Sequence, residues 1–163
     1  LKTLKWNNLQ PLPHALSGCM TVIVSKRLFV LGGWKSAKES TNEVHEYDST
    51  NDKWLPRSPM PRYEGYASAV SFKDEIFVVG SNQKLCMSYD PLKDKWTKLT
   101  QPLNMHRCGA AVVLNEKIIL LGGRDEDSVE EYCVESDEWS MLDWKAPTKK
   151  DLRFALLILT KLN

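Results

Sequence analysis

A chain of 163 residues, 42% of them hydrophobic, can bury one ordinary core and does not belong among disordered tails. Its 22 basic and 21 acidic side chains leave a net charge of +1, so no bulk field recruits nucleic acid or an anionic membrane, and polar recognition has to come from local clusters. The four cysteines, Cys19, Cys86, Cys108 and Cys133, show no CxxC spacing and no neighbouring His cluster, which argues against a zinc site and predicts reduced thiols in a cytoplasmic setting.

The chain starts at Leu1 without a Met and without a charged-then-apolar leader, so it reads as a piece of something longer with no targeting segment. Residues 1–10, around Trp6, read as a last strand whose earlier partners are absent. A first full unit spans 14–58. Its apolar runs "CMTVIV" and "RLFVLGG" are separated by Ser25-Lys26. A polar loop follows, "WKSAKESTN" from Trp34 to Asn42, and then the strand "EVHEYDS", a turn near Asn51-Asp52 and a strand carrying Trp54.

The second unit, 62–100, repeats the order with "ASAVSF", Lys73-Asp74, "EIFVVG", a short loop at Asn82 to Lys84, "LCMSYDP", a turn at Lys93-Asp94 and Trp96. The third, 105–143, runs "GAAVVL", Asn115-Glu116, "KIILLGG", the acidic loop "RDEDS" at Arg124 to Ser128, "VEEYCVE", Ser136-Asp137 and Trp139. A connector, "KAPTKKD", then leads to the apolar run in residues 152–160, which is far too short to span a bilayer.

Trp6, Trp54, Trp96 and Trp139 stand 48, 42 and 43 residues apart, and a Tyr precedes the last three by seven, at Tyr47, Tyr89 and Tyr132. A period of that length means stacked supersecondary units, and short Val-, Ile- and Phe-rich runs divided by polar pairs make them stranded. A turn centred between residues 50 and 51 makes Tyr47 and Trp54 direct cross-strand partners, which explains the fixed spacing. These six aromatics are expected in the core. The Gly pairs are expected where positive φ and close backbone approach are needed, with Ser81 as the departure in the second unit.

Four short antiparallel strands, a diglycine after the second and a Tyr-Trp pair on the third and fourth resemble the kelch repeat over residues 14 to 141. The resemblance implies an all-β partial propeller: residues 1–163 hold about three complete blades plus strands of an incomplete closing blade. Residues 152–160 are expected to supply the closing strand of a ring of about six blades. The rivals are an open three-blade body and pairing of its edges with a second copy.

The chemistry for an enzyme is thin. His14, His45 and His106 lie at no ligand spacing, so the metal site of a copper oxidase similar to galactose oxidase is not expected, and neither are catalytic residues or any cofactor. The acids of "RDEDSVEE" read as a solvated loop. What remains is a binding module whose partner is a protein, with no nucleic acid or membrane. The loops after second strands and those leading into first strands are expected on one face. The candidates there are Trp34, Lys35, Arg62, Tyr63, Asn82, Gln83, His106, Arg107, Arg124 and Asp125. Arg offers a planar fork for a carboxylate or phosphate, and Tyr and Trp offer contact area. The resemblance implies that Arg62 and Arg107 sit where kelch blades often carry a blade-bridging Arg. It further implies a BTB-kelch adaptor that recruits substrates to a cullin ubiquitin ligase, or alternatively an actin-binding scaffold.

Overall fold

The structure, a computed structural model, describes residues 8–150, so the strands expected around Trp6 and over 152–160 lie outside the described residues. Among the described residues twelve strands form three antiparallel four-stranded sheets, each in simple up-and-down order. The first holds β1 (Met20–Val24), β2 (Arg27–Ser36), β3 (Glu39–Asp48) and β4 (Lys53–Arg57). The second holds β5 (Ala67–Phe72), β6 (Glu75–Gly80), β7 (Leu85–Asp90) and β8 (Lys95–Lys98), and the third β9 (Ala110–Leu114), β10 (Lys117–Gly123), β11 (Glu126–Cys133) and β12 (Glu138–Lys145).

Local chemistry accounts for the first hairpin of every sheet. Ser25-Lys26, Lys73-Asp74 and Asn115-Glu116 are each two-residue turns with both φ values between 48° and 63°. Positive φ at both positions gives a turn whose twist matches that of the flanking strands, which tightly couples the strand pair. The second hairpins place Tyr47 opposite Trp54, Tyr89 opposite Trp96 and Tyr132 opposite Trp139, as the spacing of seven predicts.

Two expected loops are shorter than their polar composition suggested. Trp34 to Asn42 is mostly strand, because β2 runs on to Ser36 and Trp34 pairs with Ser40 and Gly33 with Thr41. A bulge at the Gly pair carries the ladder past the diglycine, leaving Ala37-Lys38 as the turn. Likewise β11 begins at Glu126, so the acidic loop contracts to Arg124-Asp125.

The sheets stack face to face through two apolar layers. Phe29, Leu31 and Val44 of the first meet Ile76, Val78 and Tyr89 of the second, and Phe77, Val79 and Cys86 of the second meet Ile118, Leu120 and Tyr132 of the third. Burial pushes the Cys86 thiol up to about 12, so it behaves as a hydrophobe. Among the first strands of the sheets, β1 neighbours β5 and β5 neighbours β9.

Each outer hairpin also clamps the chain segment that enters its own sheet. The Tyr89 hydroxyl donates to Asp94 at 2.5 Å, Asp94 accepts the Ser58 N–H at 2.9 Å, and the Trp96 indole N–H donates to the Ser58 carbonyl at 2.9 Å. Tyr47, Asp52 and Trp54 hold Gln10 in the same way, and Tyr132, Asp137 and Trp139 hold Thr100. The Tyr89 hydroxyl, outweighing burial, holds the Asp94 carboxyl below the usual carboxylate range. At Tyr89 and Tyr132, whose rings are fully buried, the charged acceptor makes the hydroxyl bond worth about 1.5–3 kcal/mol.

Candidate functional site

The segments entering the sheets reach their first strands through one repeated backbone pattern. Gly18, Tyr66 and Cys108 all take positive φ, at 60°, 67° and 58°. The Cys108 N–H donates to the Tyr66 carbonyl at 2.9 Å and the Tyr66 N–H to the Gly18 carbonyl at 3.3 Å, a chain of bonds running from sheet to sheet. Two positions earlier in each linker, the Gly33 N–H donates to the Glu64 carbonyl at 2.8 Å and the Ser81 N–H to the His106 carbonyl at 3.2 Å. These bonds make Glu64 and His106 equivalent.

The glycine alignment of "PRYEG" with "MHRCG" implies something else, pairing Arg62 with His106. In the structure Arg62 and Arg107 occupy different places in the two linkers: Arg107 reaches across to the neighbouring linker at Tyr66, whereas Arg62 bonds to Gln83 of its own unit. Positive φ at Gly32, 55°, belongs to this same contact: a Cβ there would lie 2.3 Å from the Glu64 carbonyl oxygen.

His106 is fully buried, which removes it from the recognition surface. Its Nδ1 lies 2.7 Å from the Gly122 carbonyl oxygen and its Nε2 3.0 Å from Glu130 Oε1. Glu130, also fully buried, accepts the Leu103 and Asn104 N–H groups at 2.7 Å each. Burial alone would raise its carboxyl, but His106 and these two amides outweigh it and hold it low.

Around Glu64 the middle sheet does not close in this way. The bond made by Trp34 N–H to the Ser17 carbonyl in the first sheet, and by Arg124 N–H to the Arg107 carbonyl in the third, falls at Asn82 and Gly65 in the second, where no such bond forms. A cavity of about 590 Å³ opens there. It brings together six of the ten candidates: Trp34, Arg62, Tyr63, Asn82, Gln83 and Arg107.

Arg62 is exposed and donates to the Gln83 side chain at 2.7 Å, and Tyr63 is 63% exposed. Trp34 is not the exposed anchor its expected loop suggested. It is half-buried, its ring 6.1 Å from that of Tyr66, and the Arg107 guanidinium lies 5.4 Å from the other partner in this stack, the Tyr66 ring centre. A Cβ on Gly65 would meet the Trp34 indole nitrogen at 2.4 Å, so glycine at that position lets the indole edge lie on the linker. Lys35 is tied to Glu43 at 2.6 Å, and Arg124 and Asp125 are exposed on the β10–β11 turn without lining the cavity.

Sequence reasoning missed Glu64 and Tyr66. The signal for Glu64 was Ser81: the one departure from the diglycine pattern places a hydroxyl that bonds to the Glu64 carboxyl. Ser81 is fully buried and its oxygen also accepts the Gln83 N–H at 3.1 Å. Burial raises the Glu64 carboxyl above its ordinary range, and Ser81 and Arg62 only partly oppose this. Among the described residues no group of three or more His, Cys, Asp or Glu side chains gathers to hold a metal.

Known proteins with the same pattern are numerous. The Kelch motif matches residues 15–61 and 105–143. Mouse "Kelch-like protein 35" is 35% identical over 122 residues, 74% of this chain and 21% of that protein. Zebrafish "Kelch repeat and BTB domain-containing protein 8" is 30% identical over 159 residues, 92% of this chain and 25% of its own length. The chain thus spans about a fifth to a quarter of these relatives. The solved structure of YjhT superposes with a TM-score of 0.77 at 18% identity, covering 88% of this chain and 57% of that one, which speaks to fold alone.

Proposed function

The chain belongs to the kelch-repeat family, and from that premise we propose that it is the substrate-recruiting part of a BTB-kelch adaptor of a cullin ubiquitin ligase, reading its partner through the face on which Trp34, Arg62, Tyr63 and Arg107 meet. The name of the zebrafish relative supports the adaptor reading, since it pairs kelch repeats with a BTB domain. The partner is a protein. Free cysteines at all four positions fit a reducing, cytoplasmic setting.

The observation that carries the proposal is the convergence of the loops between the first and second sheets on one open, mixed cavity. Its rim combines an exposed Tyr and an Arg, the residue types that anchor protein interfaces, on a rigid stranded frame. The test is a quantitative pull-down from cell lysate comparing the chain with Arg62→Ala, Tyr63→Ala, Arg124→Ala combined, after circular dichroism shows equal folding. Capture of a partner by the first and its loss by the second is the expected result. Equal capture moves recognition to another surface.

A further inference from the structure

The cavity beside Glu64 contains a set of polar atoms that the protein itself leaves unsatisfied. Trp34 Nε1, Glu64 Oε1 and Arg107 Nε are all buried and have no hydrogen-bond partner. Two of these are donors and one is an acceptor, and all three residues line the same space. Glu64 is only 5% exposed, and the Ser81 hydroxyl serves its carboxyl but leaves Oε1 open. Buried polar groups are nearly always paired, so three orphans at one place where the sheet pattern fails to close mark a site built for an occupant.

Charge selects the occupant. A carboxylate or phosphate would satisfy the donors but be driven against Glu64. A Lys or Arg side chain would satisfy Glu64 but offers no acceptor to the Trp34 and Arg107 donors and would meet the Arg62 and Arg107 guanidiniums. A neutral group that accepts and donates from one carbon satisfies both sets without burying an unpaired charge. Its methylene stem would lie along the Trp34 and Tyr66 rings.

We propose that this cavity is a subsite for a carboxamide side chain, Asn or Gln, presented by the protein partner, with the amide oxygen facing Trp34 Nε1 and Arg107 Nε and the amide nitrogen facing Glu64 Oε1. The inference rests on the loop-face reading above and names the chemistry that face selects. Ser81 is the positioning residue, since it holds the Glu64 carboxyl so that one oxygen stays free.

The test follows the Trp34 indole N–H in nitrogen-15 NMR spectra of the full chain, one of six tryptophan indoles, assigned with Trp34→Phe. The probes are N-acetylglutamine N-methylamide, N-acetylglutamate N-methylamide and N-acetyllysine N-methylamide, which differ only at the side chain, so that a primary carboxamide is present in the first alone. The glutamine probe is expected to move the Trp34 resonance at concentrations at least about tenfold lower than the other two, the penalty expected for leaving a buried polar group unpaired. Glu64→Leu, with the other indole resonances in place, is expected to weaken that response about tenfold. Preference for the acid or the lysine probe, or an equal response to all three, overturns the proposal. If Glu64→Leu does not fold, the ranking of the three probes on the natural chain decides alone. Loss of partner in the pull-down together with no amide preference refutes this subsite while leaving the loop-face reading intact; amide preference with an unchanged pull-down does the reverse.

Discussion

Glu64 and His106 reach the same place in successive linkers through the same backbone bonds, yet one ends in a closed network and the other at an open cavity. The difference lies in what each sheet offers from its third strand. Two residues before the Tyr, the third sheet has Glu130 and the second has Met87. His106 therefore finds an acid and a carbonyl, whereas the second sheet has at the equivalent position a thioether that can donate nothing, and the Glu64 carboxyl is served by Ser81 instead. Repetition fixes the backbone at this place. The side chains then decide whether it becomes core or site.

The most severe way to break the contrast is to remove Glu130. Its loss leaves His106 and two linker amides without their acceptor, and Glu130→Ala is expected to cost about 3–5 kcal/mol in urea titration, the usual penalty for breaking a buried pair. Glu64→Ala, which deletes a half-satisfied acid, is expected to stay within about 1 kcal/mol of the natural chain. Comparable losses at both positions would mean that the two linkers are energetically alike and the cavity incidental. Trp139→Ala should rank with Glu130→Ala at about 3–5 kcal/mol, because it removes both a large buried aromatic and the grip on Thr100.

Acidity separates the two places by sign. The Glu130 carboxyl is held low, so its contribution is present above the ordinary glutamate range and is lost as pH falls through the lowered value. The Glu64 carboxyl is held high by burial, so its contribution is complete below the ordinary range and is lost as pH rises through the raised value. Thermal midpoints measured across about pH 4 to 8 should therefore show Glu64→Gln gaining on the natural chain as pH rises. A flat difference would mean that Glu64 is solvated and the cavity freely wet.

Much of this frame was readable from the residues because its requirements are local. A two-residue turn with both φ positive, a Tyr opposite a Trp and a backbone that must pass within contact of another each demand particular residue types at fixed spacing. The linkers were harder. Gly65 and Gly109 look like the same landmark, but the hydrogen bonds place Gly65 opposite Arg107, and this hid the equivalence of Glu64 and His106. Trp34 to Asn42 misled for a related reason: a hairpin arm projecting beyond the core has no apolar face to reveal its period, so its strands carry a loop's composition. Recognition chemistry was legible as residue type and not as contact, since six candidates converge while His106 turns inward.

The mildest prediction sharpens the comparison most. By the same backbone correspondence Tyr63 matches Met105, and both are exposed, at 63% and 55%. Neither supports the core, so Tyr63→Ala and Met105→Ala should each change stability by no more than about 0.5 kcal/mol. Their effects on binding should diverge. Tyr63 lines the cavity next to the half-satisfied Glu64, whereas Met105 stands beside a His106 that is already satisfied. Pull-down with the two single variants should therefore lose partner with Tyr63→Ala and keep it with Met105→Ala. Equal losses would assign recognition to the whole ring of linkers, and the difference between an open and a closed place would then carry no function.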